Sequence, residues 1–129
     1  MNVVGHGIDL VEIPRIARLL QDHGERFMKR CFTEAEAHYA ANRRRQIEHL
    51  AGRFAAKEAI LKALGTGWQR GIAWTDAEVT RLPSGQPQVA VHGVCRKIAD
   101  DMGIDRWWIS ISHTESYAMA SVIATSARF

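Results

Sequence analysis

The sequence predicts an α+β fold in which an antiparallel sheet packs around one long central helix. Three observations predict it. Val- and Ile-rich stretches stand at both ends of the chain (NVVGHGIDLVE, then WWISIS and YAMASVIA) and read as strands. Residues 46–64 carry apolar side chains on two sides, as a buried helix does. The order of elements is strand, helices, hairpin, helix, hairpin, which is that of an α+β domain. At 129 residues a single domain, 1–129, is expected, long enough to bury a core.

The first strand covers 2–12. Pro14 suits a first helical turn, and Ile13, Ile16, Ala17 and Leu20 then form a helical stripe. Arg15, Arg18 and Asp22 fall on the exposed side, and "DHG" is expected to end this helix. Thr33 caps the next helix, with Glu36 three residues on completing a capping box. The helix at 46–64 is stopped by Gly65 and Gly67. A strand near 73–81, the turn PSGQP and a strand at 88–92 make a hairpin. A short helix at 93–102 follows, and two strands joined by HTES close the chain.

Composition narrows the function classes. Apolar residues are 47% and charged residues 24%, ordinary for a globular protein. The start lacks the basic opening of a signal peptide, and no apolar run approaches the roughly 20 residues of a membrane span. A cytoplasmic protein without a membrane partner is expected. Cys31 and Cys95 have no metal-type spacing and read as reduced, structural thiols. The net charge of +3 is uneven: residues 14–45 hold eight basic side chains against four acidic. Such a field suits a solvated surface or an acidic partner. An RNA-binding reading on Arg43–Arg45 is weaker, for no stacking motif accompanies them.

The stretch GRFAAKEAILKALGTG (52–67) carries the chemistry. Leu50, Phe54, Leu61 and Leu64 share one arc, while Gly52, Ala55, Ala56, Ala59 and Ala63 make a small-residue face that admits another backbone. Lys57 falls inside the Leu/Phe arc and needs a partner. Glu58 and Lys62, four apart, share an edge. That spacing fits an exposed pair worth about 0.2–0.5 kcal/mol. It also fits a cleft at which Glu58 holds a divalent metal and the lysines meet phosphates, since Mg²⁺ takes one or two carboxylates besides substrate oxygens. Asp9, in the apolar GHGIDLVEI, is the candidate second carboxylate, and Gly5 and Gly7 beside it imply close approach of something to this backbone. In SISHT, Ser110 and Ser112 share a strand face and His113 stands at the turn.

Together GIDLVEIPRI (7–16), GRFAAKEAILKALGTG (52–67) and SISHTESYAMA (110–120) resemble the holo-[acyl-carrier-protein] synthases, the small bacterial 4′-phosphopantetheinyl transferases. The likeness extends through FTEAE (32–36) and PSGQPQV (83–89), with Trp68, Trp74, Trp107 and Trp108 as departures of detail. The resemblance implies a phosphopantetheinyl transferase-like fold and transfer of 4′-phosphopantetheine from coenzyme A to a serine of apo-acyl carrier protein, for fatty acid biosynthesis. It implies Mg²⁺ on Asp9 and Glu58, with Lys62 in the catalytic set. Arg53, Lys62, Gly65 and His113 would meet coenzyme A, with Gly85, Gln86 and Pro87 near its nucleotide. Arg15 and Arg18 would face the acidic carrier protein, and nucleic acid would be no partner. A homotrimer with sites shared between neighbours is implied as well. The base that takes the serine proton stays open between Glu58, Lys62 and a bound water.

Overall fold

The computed structural model describes residues 1–41, 43–67 and 71–127; Trp68 lies outside them. The elements are β1 (Asn2–Glu12), α1 (Ile13–Cys31), α2 (Glu34–Ala41), α3 (Gln46–Leu64), β2 (Ala77–Arg81), β3 (Pro87–Val91), α4 (Gly93–Asp101), β4 (Arg106–His113) and β5 (Tyr117–Ser126). The strands form two antiparallel sheets rather than one: β1–β5–β4, and the separate hairpin β2–β3. Helix α3 lies against the inner face of the first and touches β2 of the second. Every residue from Leu50 to Lys57 is buried, as two apolar faces require.

The glycines of β1 and the small face of α3 meet each other. A Cβ on Gly7 would fall 1.9 Å from the Ala59 carbonyl oxygen, and one on Gly5 would fall 2.1 Å from that of Ala63. Neither backbone has room to yield, so only glycine fits here. Ala118, Ala120, Val122 and Ala124 of β5 complete a floor of short side chains under the helix. The strand is thereby held close enough for its neighbouring side chains to share a cleft with those of α3.

Two boundaries differ from expectation. The helix beginning at Ile13 does not end at the DHG sequence: Gly24 leaves the helical region (φ 48°, ψ −121°), and the chain re-enters a helix that runs to Cys31. Phe27 and Cys31 are buried beyond that kink, so tertiary packing extends the element past a local stop signal. The strand expected near 73 begins at Ala77, because residues 74–76 form a 3₁₀ turn in which the Asp76 carboxylate accepts the Ala73 amide at 3.1 Å.

The capping box at Thr33 forms as expected: its amide donates to Glu36 Oε1 at 2.9 Å, and its hydroxyl accepts the Glu36 amide at 3.2 Å. The same carboxylate also accepts Lys57 Nζ at 2.6 Å and the Val79 amide at 2.9 Å. Lys57 gives its other protons to the carbonyls of Ala77 (2.7 Å) and Trp74 (3.3 Å). Both side chains are 0% exposed, so α2, α3 and β2 are pinned together by one satisfied ion pair. This corrects one expectation. Lys57 meets no phosphate, because it is sealed inside the protein.

Candidate functional site

Two clusters of polar side chains flank α3, on opposite sides. Arg53 and Glu58 are five positions apart, hence about 140° apart around the helix axis. Each flank faces a different edge of the β1–β5–β4 sheet.

The first flank faces β1. Strand and helix run antiparallel, Gly5 against Ala63 and Gly7 against Ala59. Asp9, two residues on, therefore lies beside the preceding turn of α3, which carries Glu58. Lys62 leans back along the helix, as helical side chains do, and donates to Asp9 Oδ1 at 3.1 Å and to the Ile8 carbonyl at 2.9 Å. The Lys62 side chain is 52% exposed and that of Asp9 19%; Glu58 is half-buried. Gly65, in the left-handed region at φ 76°, closes the helix one turn beyond Lys62. Two carboxylates and an ammonium thus open to solvent within one chain. Among the described residues no group of three metal-ligating side chains occurs, so a cation here would draw its remaining ligands from water and substrate. That donor set fits Mg²⁺.

The second flank faces β4 and the hairpin. A cavity of about 400 Å³ is lined by Arg53, Gln86, Pro87 and His113, together with Arg81 and His49. Gly85 adjoins it and its carbonyl accepts the Arg81 guanidinium. Arg53 is 2% exposed, yet its Nε, like that of Arg81, has no hydrogen-bond partner among the described residues. Burial, then the nearby Arg81, pushes the Arg53 pKa down, against the pull of Glu36 and Tyr39. His49 is lowered from 6.5 by burial and then by Arg53, Arg81, Arg43 and His113. Cations outnumber carboxylates here, and the cavity is suited to an anion.

Arg81 and His49 are site residues that sequence reasoning missed, although both had signals. The hairpin pairs Arg81 with Pro87 across the PSGQP turn, and His49 precedes Arg53 by one helical turn. Tyr39, packed against both flanking arginines, had none.

Arg15 and Arg18 are exposed on α1, Arg15 lying 5.6 Å from the Phe54 ring centroid. A second cavity, about 680 Å³, is lined by Leu19, Arg26, Phe27, Arg30 and Trp74, and by Phe54, the ring under Arg15. Cys31 and Cys95 are free and buried, and burial raises both thiols to about 11, so neither is a nucleophile at neutral pH.

Comparison with known proteins follows the same lines. The model of the 4′-phosphopantetheinyl transferase superfamily matches residues 5–122. A holo-[acyl-carrier-protein] synthase of Koribacter versatilis is 48% identical over 121 residues, which are 94% of this chain and 97% of that protein. The crystal structure of a holo-[acyl-carrier-protein] synthase from Neisseria meningitidis superposes with a TM-score of 0.88 at 31% identity, over 97% of this chain and all of that one. The Helicobacter pylori enzyme in complex with coenzyme A superposes at 0.82 and 28% identity, covering 93% and 99%. No described helix is long and apolar enough to cross a membrane.

Proposed function

The chain belongs to the 4′-phosphopantetheinyl transferase superfamily, and from that premise we propose that it moves 4′-phosphopantetheine from coenzyme A to a serine of apo-acyl carrier protein, releasing adenosine 3′,5′-bisphosphate. The observation that carries this reading is the open flank of Asp9, Glu58 and Lys62 on one side of α3, with a cation-rich pocket on the other. The serine oxygen bonds to the β-phosphorus, the bond from that phosphorus to the bridging oxygen breaks, and the serine proton passes to a base on the same flank. Phosphoryl transfer asks little covalent work of a protein, so positioning and charge do most of it. Lys62 offsets negative charge on the pyrophosphate. Asp9 and Glu58 would hold Mg²⁺, which polarises phosphorus and stabilises the leaving phosphate. Arg53 and His113 would bind the terminal phosphomonoester, the most charged group of coenzyme A, with Gly85, Gln86 and Pro87 along the nucleotide and Gly65 near the pyrophosphate. Arg15 and Arg18 would draw in the acidic carrier protein, in the cytoplasm and in the service of fatty acid biosynthesis.

This arrangement supports a homotrimer. Asp9 pairs with Ala120 and Ala120 with Ile111, so the two flanks lie on opposite edges of the sheet, about 10 Å apart at two strand spacings. A neighbouring subunit would bring its β4 edge to this β1 edge and complete a site. The outer face of the sheet leaves Ile8, Leu10, Trp108, Tyr117 and Met119 exposed, a surface apolar enough to pack against copies of itself. Both carboxylates come from one chain, so mixing Asp9→Ala with Glu58→Ala subunits should restore no activity. Mixing Asp9→Ala with His113→Ala should restore some, read after verified subunit exchange.

The direct test is intact mass spectrometry of apo-acyl carrier protein incubated with coenzyme A, Mg²⁺ and the protein. A gain equal to phosphopantetheine is expected, abolished by EDTA and by Glu58→Gln. No gain with a competent acceptor would overturn the reading.

A further inference from the structure

The cationic pocket is built in an uncommon way. A buried arginine is ordinarily held by a carboxylate, but the buried Arg53, the half-buried Arg81 and the exposed Arg43 form no ion pair among the described residues. Glu36, which pulls on Arg53, is already engaged by Lys57 and Val79, and Glu48 is the acidic group in the cavity wall. What the three guanidiniums share is Tyr39. Their carbons lie 4.2 Å (Arg43), 4.3 Å (Arg53) and 5.2 Å (Arg81) from its ring centroid. His49 meets the same ring edge-on, with centroids 5.6 Å apart.

A carboxylate would position a guanidinium and cancel its charge. An aromatic ring positions it by its quadrupole and leaves the charge in place. Arg81 has a second anchor in the Gly85 carbonyl, which is likewise uncharged. The pocket can therefore hold two close guanidiniums, each with an Nε unpartnered among the described residues, against their mutual repulsion until an anion arrives.

We infer that Tyr39 is a positioning residue that presents Arg53 and Arg81 together, un-neutralised, to a phosphomonoester dianion, and that Arg81 sets selectivity for nucleotides bearing that group. This rests on the function proposed above and names which groups read the 3′-phosphate of its coenzyme substrate. A planar, two-donor guanidinium suits phosphate oxygens, and a second one distinguishes a dianionic monoester from a bare ribose hydroxyl.

The test is calorimetric titration of adenosine 3′,5′-bisphosphate and of 5′-AMP into wild type, Tyr39→Leu, Tyr39→Phe and Arg81→Gln. Wild type should prefer the bisphosphate. Tyr39→Leu and Arg81→Gln should each cut that preference about tenfold, as loss of a charged hydrogen bond does, by weakening the bisphosphate alone. Tyr39→Phe, which keeps the ring and loses only the hydroxyl's hydrogen bond to Arg53, should retain most of it. An unchanged preference in Tyr39→Leu or Arg81→Gln would overturn the inference. So would an equal loss for both nucleotides, the mark of a merely structural role. A wild type without preference would show instead that the pocket does not read the 3′-phosphate, and the function assigned to it above would fail first.

Discussion

Lys57 and Lys62 stand five residues apart on one helix and have opposite fates. Lys57 is sealed in the core, its three protons given to Glu36 and two carbonyls. Lys62 lies half in solvent against Asp9. Burial lowers the Lys57 pKa, with Glu36 opposing, and its charge is spent entirely within the protein. The charges around Lys62, Asp9 and Glu58 keep open sides, as do those of the arginine pocket across the helix. Side chains of one type, on one element, thus divide into those that hold the fold and those left available to a ligand. The division follows from what packs over each of them.

The comparison can be broken first at its closed end. Lys57→Met should leave the Glu36 carboxylate buried without its counter-ion and destabilise the fold by about 3–5 kcal/mol, measured by urea denaturation. A change below about 1 kcal/mol would mean the pair is not sealed as described. At the open end, Lys62→Met should lower the transfer rate about 100-fold, as loss of an electrostatic stabiliser does. Stability should move by less than about 1 kcal/mol, since its ion pair is half-solvated. Assay and melting curve on one preparation check both halves, and a large loss of stability would erase the contrast.

The smallest effect is expected at His49, beside the uncompensated arginines. Its folded pKa lies below 6.5, so between the two values the unfolded chain binds more protons than the folded one. Stability from this group is full above pH 6.5 and is lost as pH falls towards the folded pKa. Melting temperatures of the ligand-free protein between pH 5 and 7.5 should fall on the acid side more for wild type than for His49→Gln. Parallel curves would show that the pocket exerts no such field.

Much of this was legible in the chain. Thr33 and Glu36 announced the cap, Gly65 the helix end, and Gly5 and Gly7 a close approach, because each depends on backbone geometry within a few residues. The small face of α3 and the glycines of β1 were even legible as separate halves of one contact. The candidate carboxylates Asp9 and Glu58 stood out as charges in apolar contexts. The re-entry of α1 after Gly24 was not legible, since the burial of Phe27 and Cys31 overrides a local stop. Nor was the role of Tyr39, whose partners lie 4, 14 and 42 residues away at Arg43, Arg53 and Arg81.

What the sequence by itself determined is the set of helices and hairpins, the buried character of α3 and the charged residues available for chemistry. Periodicity, caps and glycine conformations act over three or four residues, so a linear reading suffices for them. Tertiary structure alone decided that Lys57 is paired with Glu36, that Asp9 and Glu58 share one flank, and that the arginine pocket lies on the other. Whether a charge is solvated, neutralised or left open is set by groups brought over it from distant parts of the chain, and that proximity exists only once the chain has folded.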